Sequence, residues 1–358
     1  MDFHFASAWE ALSDAYPNRT ATIADGRYTS WREFEQRAAS IASLLTAHSV
    51  GPGAKAALYM HNRNEYQEAQ FAIFKVGGCP INVNYRYKTD ELVYLLDNSD
   101  SEVIFFQSSY AMRIWEIKDR LPKVKLFVQV DDGTEALLKG AEDYERAIRQ
   151  NKPAPRVAQD PEGVYMLYTG GTTGMPKGVM YDNGALAHWL SIGGVTSRGL
   201  APPSSVADLI EATRTITAMD KVHRSLPACP QMHGTGMWIG TMVALNCGGT
   251  VVTQRTSHLD ADALIQCVID NQVTDLTIVG DAFARPILAA LDTAANAGTP
   301  YDLSHVGQIA SSGVMWSSEI KEGLLRHHDM ILNDIMGSTE GSMGGSISTR
   351  EGAAKTAK

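Results

Sequence analysis

Tyr168-Thr-Gly-Gly-Thr-Thr-Gly-Met-Pro-Lys-Gly-Val179 is the stretch from which the rest of the chain can be read. The residues ahead of it, Gly163-Val-Tyr-Met-Leu-Tyr168, form an apolar, aromatic-rich run that predicts a buried strand. The chain then passes through Thr169, Gly170, Gly171, Thr172, Thr173 and Gly174 before Pro176 and Lys177. Glycines admit positive φ and let backbone N–H groups close on an anion. Thr172 and Thr173 add hydroxyl donors and Lys177 adds a point charge, so the segment predicts a phosphate cradle and nucleotide handling. The common phosphate loop needs Gly, four residues, then Gly-Lys-Ser/Thr. Here Pro176 precedes the lysine and Gly178 follows it. Proline fixes φ and donates no N–H, so this turn is built differently. The bland alternative is a Gly/Thr-rich linker between two strands, which twelve residues in this order seldom make.

Composition fits an ordinary soluble globular protein. The chain has 358 residues, 44% hydrophobic and 20% charged, enough for about two domains with a substantial core. A formal net charge of -9 argues against a nucleic-acid surface, which calls for basic patches. Cys79, Cys229, Cys247 and Cys267 are widely spaced, which predicts reduced thiols, a cytoplasmic location and no zinc site. Met1 to Glu10 lacks the basic start and apolar run of a signal peptide. Met237 to Val252, the most apolar stretch, is too short and mixed to span a bilayer.

Strand and helix patterns alternate along the chain. Ser30 and Glu33 predict a capping box, after which Trp31, Phe34, Ala38, Ile41 and Leu45 recur at helical spacing. Ala56–Tyr59, Pro80–Asn84, Val103–Phe106 and Leu126–Val130 read as strands, with helical patterns between them. After the glycine-threonine turn come strands near 250–253, 276–279, 308–310 and 330–335, and helices near 185–192, 260–271, 283–297 and 318–328. This predicts an α/β fold with two parallel-rich sheets covered by helices. The expected division is a first subdomain over 1–160 and a second over 161–345, which holds the phosphate turn. The polar, proline-bearing stretch 141–161 would cross the surface between them, and 346–358 would be a disordered tail.

A second chemical constellation, Gly337-Ser-Thr-Glu-Gly341, follows the last predicted strand. Ligands on open α/β sheets bind beyond the carboxyl ends of strands. Glu340 suits Mg²⁺, which takes one or two carboxylates and shares phosphate oxygens, and Thr339 suits the α-phosphate. A helix start capped by Ser338 or Thr339 is the competing reading. Taken in order, the two segments resemble the signatures of the AMP-forming acyl-CoA synthetases, the adenylating superfamily of acyl- and aryl-CoA ligases and luciferases. The usual string has Ser where this chain has Gly170.

That resemblance implies further roles. Ser312, Gly313 and Val314, in Ala310-Ser-Ser-Gly-Val-Met315, would lie against the adenine face. Met336 stands where the family commonly has an aromatic that stacks on adenine, and can still pack on a ring, though less rigidly. Asp334 either accepts from the adenine amino group or is a solvated strand-end carboxylate. Pro227-Ala-Cys-Pro-Gln-Met-His233-Gly-Thr-Gly-Met-Trp238 resembles the segment whose histidine or aromatic separates acyl pocket from adenylate, so His233 would orient the substrate carboxylate. Gly234, Met237, Trp238, Gly280 and Asp281 fall to the acyl pocket, with tunnel wall or core as the plainer reading of Met237 and Trp238, and a helix cap as that of Asp281. The 197–222 insertion and the Val279–Pro286 string resemble those of actinobacterial ligases acting on long acyl chains and steroid side chains.

The implied chemistry is activation of a small-molecule carboxylic acid by ATP with Mg²⁺, giving acyl-AMP, which CoA then converts to the thioester. A family member continues past Gly341 with a small barrel and a mobile C-terminal lid bearing a lysine. Nothing in the tail matches these, so the sequence reads as the large N-terminal portion, impaired in acyl-CoA synthesis, with an exposed apolar face that favours a homo-oligomer. An amino-acid or aryl-acid adenylating enzyme and a catalytically silent ligand-binding homologue are the competing function classes. Gly234 to Trp238 offers no carboxylate for a substrate ammonium.

Overall fold

A computed structural model describes residues 2–170, 174–256, 258–338 and 341–352. In chain order the strands are β1 (Thr20–Ala24), β2 (Arg27–Ser30), β3 (Lys55–Tyr59), β4 (Cys79–Asn82), β5 (Ser101–Gln107), β6 (Leu126–Val130), β7 (Glu142–Asp143), β8 (Val164–Thr169), β9 (Lys177–Asp182), β10 (Arg224–Pro227), β11 (Thr250–Thr253), β12 (Asp275–Ile278), β13 (Gln308–Ser312), β14 (Ile331–Ser338) and β15 (Gly341–Ser348). They form an eight-stranded sheet ordered β15-β14-β13-β12-β10-β11-β1-β2, a five-stranded sheet ordered β4-β3-β5-β6-β7, and the ribbon β8-β9. Pairing is parallel throughout the five-stranded sheet and in the interior of the larger one, with antiparallel pairs at its two ends. The expected α/β class with two parallel-rich sheets is present.

The structure adds detail to the expected organisation. The sheets do not divide at residue 160, because β1 and β2 join the larger sheet beside β11. Val164–Thr169 belongs to neither large sheet; it pairs antiparallel with β9 as a ribbon. Within the stretch 141–161, Tyr144–Gln150 is a helix capped by the Asp143 carboxylate at Arg146 N–H. In addition, β15 runs to Ser348, so residues 346–348 of the presumed tail are paired with β14.

Burial follows the period-two alternation of strands. In the smaller sheet Ala56, Leu58, Val103, Phe105 and Val128 face one core, and Ala57, Tyr59, Ile104 and Phe106 face another. The first core is dominated by aromatics from the helices Phe5–Ala15, Trp31–Ala47 and Asn64–Lys75. Trp9 meets Phe71 edge-on at 5.2 Å between ring centroids, and Trp9 Nε1 donates to Asn246 Oδ1 at 2.7 Å. In the larger sheet Leu226, Leu276, Ile278, Ile309 and Leu332 all turn to one side, under the helices Ala261–Asp270, Gly280–Asn296 and Ser318–His327. The opposite side of that sheet carries the groups discussed below.

Two polar devices lock these layers together. Asn82, buried at the end of β4, accepts from Tyr168 N–H (2.6 Å) and donates to Tyr168 O (2.9 Å) and Met232 O (2.7 Å). One side chain thus fastens the β8-β9 ribbon and the loop after β10 to the smaller sheet. The second device is a charge cluster. Arg198, just past the helix Asn183–Thr196, places Nη2 2.8 and 2.6 Å from the two oxygens of Asp275 on β12, and His223 Nδ1 lies 3.4 Å from Asp275 Oδ1. Burial alone would lower the pKa of His223, but the Asp275 charge outweighs it and raises it from 6.5 to about 9. Burial would likewise raise Asp275, but His223 and Arg198 hold its carboxyl well below the usual carboxylate range.

Two measurements test these devices. Asn82→Ala removes three buried hydrogen bonds to backbone groups and is expected to cost about 3 kcal/mol in urea unfolding; a loss below about 1 kcal/mol would contradict the bridging role. For the cluster, a raised histidine pKa contributes stability that is complete below pH 6.5 and lost as pH climbs through about 9. Thermal melts should therefore show Tm falling between pH 6.5 and 9, and His223→Asn should lack that fall.

Candidate active site

The ribbon presents the glycine-threonine turn at its tip. Thr169, the last residue of β8, pairs directly with Lys177, the first of β9. Lys177 therefore stands at the mouth of the turn, exposed and without an ion pair among the described residues. Gly170 is exposed, and Gly174 has φ +133°, a backbone setting that favours glycine. Gly171, Thr172 and Thr173 lie outside the described residues, as do Thr339 and Glu340. Gly178 is small for a steric reason: a Cβ there would come within 2.6 Å of Met166 Sδ and 2.8 Å of Tyr168 Cε2.

The other group of predicted residues gathers at the carboxyl ends of β13 and β14. Ser312 is buried and in register with Ile335; Gly313 follows at φ +98°, then exposed Val314. Met336, Gly337 and Ser338 end β14, with Met336 partly buried and Gly337 exposed. Asp334 points to the other side of the sheet, where Oδ2 accepts from the fully buried Lys321 Nζ at 2.7 Å. Its carboxylate is thus committed to an internal ion pair, an arrangement that neither sequence reading anticipated.

A π-helix, Thr235–Met242, joins the two groups. On the ribbon side Trp238 Nε1 donates to Tyr165 Oη at 3.1 Å, and its ring meets Tyr181 edge-on at 5.2 Å. Gly234 packs on Leu167, 3.2 Å from where its Cβ would lie. On the sheet side, a Cβ on Gly240 would stand 2.7 Å from Pro227 Cβ, and one on Gly313 would stand 3.8 Å from Thr235 Oγ1. Wide π turns of this kind recur at functional sites.

Between this helix and the larger sheet runs a cleft with about 900 Å³ of empty space, part of it open to solvent. Parallel register sets its floor, because paired residues share a face. Ser225, Asp275 and Gln308 form the first rung. Pro227, Thr277, Ala310 and Asn333 form the second, and Ser312 with Ile335 the third, next to Gly313 and Gly337. Trp189, Leu190 and Ile192 from the helix Asn183–Thr196, with Ile239 and Val243, make an apolar wall.

None of Gly234, Met237, Trp238, Gly280 and Asp281 lines this cleft. Met237 is core, and Trp238 faces the ribbon. At Gly280, φ is +49° and a Cβ would strike Met315 O at 2.5 Å, so the glycine accommodates the neighbouring loop. Asp281 accepts from Ser317 N–H (2.9 Å) and pairs with Arg285 (2.9 Å), tying that loop to the helix Gly280–Asn296. His233 lines a second cleft, of about 980 Å³, with His61, Arg86 and Phe283. Burial against its neighbours, with the Arg86 charge, lowers its pKa, so the imidazole is neutral at pH 7. Sequence reasoning missed Trp189, Thr277, Gln308 and Asn333. The available signal was polar residues at alternate positions of strands otherwise apolar on their opposite face.

The chain is similar to known proteins in sequence and in fold. A 3-oxocholest-4-en-26-oate–CoA ligase of Rhodococcus rhodochrous is 34% identical over 356 residues, covering 96% of this chain and 62% of that protein. A medium-chain acyl-CoA ligase of Mycobacterium avium is 32% identical, covering 92% and 61%. The chain thus spans about three fifths of the length of these relatives. In fold it matches an anthranilate CoA ligase solved with anthranoyl-AMP, at TM-score 0.81 and 17% identity, over 95% of this chain and 61% of that one. No helix among the described residues is long and apolar enough to cross a membrane. The AMP-binding enzyme model matches residues 9–358, and the chain belongs to that family.

Proposed function

We propose that this chain carries the adenylation chemistry of an acyl-CoA ligase whose substrates are long-chain fatty or steroid side-chain acids. In this reading a carboxylate oxygen attacks the α-phosphorus of ATP, forming the acyl phosphate bond of acyl-AMP and releasing pyrophosphate. CoA thiol then attacks the acyl carbon and AMP leaves. The observation that carries the reading is the apolar cleft, whose third rung ends beside Gly313 and Gly337 while the lysine-bearing ribbon is docked to the same π-helix.

The residues divide the work by position. Lys177 and the N–H groups of the turn from Gly170 to Gly174 neutralise charge on the departing pyrophosphate, a stabilisation that grows as the bond breaks. Thr172 and Thr173 add hydroxyl donors. Ser312, Gly313, Val314 and Met336 offer backbone and small or flexible side chains to a flat base. The cleft holds the acyl tail so that the carboxylate meets the phosphorus in line, which is an orientational contribution. Glu340, with ATP oxygens, would hold Mg²⁺, which supplies charge neutralisation at the phosphates when bound. Thr339 would donate to the α-phosphate. His233, neutral at pH 7, could donate one hydrogen bond to the carboxylate from its own cleft.

Pyrophosphate release with Mg-ATP and a panel of fatty, steroid, aryl and amino acids tests the reading. Long-chain or steroid acids should stimulate release, and Lys177→Ala should lower it by roughly 10²–10³-fold, the usual loss for one electrostatic donor. Stimulation by amino or aryl acids alone, or by no acid at all, would rule it out.

A further inference from the structure

The buried end of the apolar cleft is polar, and its polarity is organised. Asp275, on the first rung, accepts from Arg198 on both oxygens, from Thr274 Oγ1 on Oδ2 at 2.5 Å, and from Gln308 Nε2 on Oδ1 at 2.6 Å. A carboxylate only accepts hydrogen bonds, so Gln308 must turn its NH₂ toward it, and the amide orientation is fixed without ambiguity. One Nε2 hydrogen and Oε1 of Gln308 are left without a partner among the described residues. One rung up and one strand over, the Asn333 amide makes no side-chain hydrogen bond with any described residue. The other polar groups nearby are engaged: Ser225 Oγ donates to Gly240 O (2.7 Å), and His223 Nε2 lies 3.1 Å from Gly194 O. Two diagonal amides therefore stand with spare donors in a space otherwise walled by Ile239, Ala310, Ile335 and Trp189.

A plain hydrocarbon tail laid over these amides would strip their water and return no hydrogen bond. A carbonyl oxygen at the same place would restore it. We propose that Gln308 and Asn333 are specificity-determining residues that favour carboxylic acids bearing a ketone on the tail, remote from the carboxylate. The inference rests on the cleft being the acyl site. Its geometry sets a length: Gln308 to Ser312, or Asn333 to Gly337, is roughly 13 Å at ~3.3 Å per strand residue, so the ketone belongs at least that far from the carboxyl. Asp275, held by Arg198 and His223, acts through Gln308 and is a positioning residue.

The test is a matched pair, 3-oxocholest-4-en-26-oic acid and its 3-deoxy counterpart, titrated into the 358-residue chain with ATP. Binding is read by calorimetry and by tryptophan fluorescence, since Trp189 lies in the cleft wall. The ketone should bind about tenfold tighter, the worth of one well-made hydrogen bond in a partly desolvated site. Asn333→Leu, which loses no existing partner, should abolish most of that preference while tightening the deoxy acid; Gln308→Leu should weaken the preference in the same direction. Equal affinity of the wild-type chain for both acids would overturn the inference and leave the cleft an acyl site. Binding of neither acid would overturn the proposed function and this inference with it. A preference undiminished in Asn333→Leu and Gln308→Leu would remove these residues from the role.

Discussion

Parallel, in-register pairing of β10, β12, β13 and β14 is the constraint on which the rest of this molecule depends. It makes every residue of one strand share a face with its partner on the next. One face therefore carries an apolar row, from Leu226 through Leu276 and Ile309 to Leu332, and it seals against three helices. The other face is free to carry Asp275, Gln308, Thr277 and Asn333 without opening the core. It also brings the carboxyl ends of these strands to one edge of the sheet, so that Ser312, Gly313 and Gly337 gather there although they come from different strands. A one-residue slip of β13 would exchange Gln308 and Ala310 with Ile309 and Ser311, burying an amide in the core and closing the cleft with a branched side chain.

The ribbon β8-β9 is bound to this frame indirectly. It shares no ladder with either sheet; Asn82 fastens its backbone to the smaller sheet, and Trp238 fastens its outer strand region to the π-helix. The π-helix in turn rests on the larger sheet through Gly240. The base of the ribbon is fixed by polar contacts of stated geometry, while its tip, from Gly170 to Gly174, is free of close packing at either glycine end.

Much of the fold was legible because its strands are short apolar runs between good helix signals. Leu126–Val130 and Thr250–Thr253 were read with their observed bounds. The Ser30 cap was read from a residue pair three apart, and the hydroxyl does accept from Glu33 N–H at 3.2 Å. Less legible was what depends on contacts between separate elements. Val164–Thr169 reads as a buried strand, and Tyr165, Leu167 and Tyr168 are buried, but its pairing with β9 depends on Gly178 yielding room to Tyr168. The candidate site divides in the same way. The phosphate turn and the strand-end segments are contiguous strings and could be named outright. The cleft could not, since its floor takes alternate residues from four strands and its wall from a helix more than 30 residues upstream. The packing around Gly280 was hidden for a related reason, because the atoms that fill its space, Met315 O and Val314, belong to a loop beyond another strand.

The same reasoning bears on why a buried charge cluster sits beneath an apolar cleft. Replacing a buried ion pair by well-packed hydrocarbon is often neutral or stabilising, so Arg198, His223 and Asp275 are poorly explained as a device for stability alone. Asp275 is the only member that faces Gln308, and its hydrogen bond at 2.6 Å is what prevents that amide from rotating. A leucine at 275 would remove that hydrogen bond and leave Gln308 free to turn either way. The cluster therefore makes most physical sense as a means of holding one amide in one orientation at the closed end of the cleft, with its cost carried by the large apolar core on the opposite face of the same four strands.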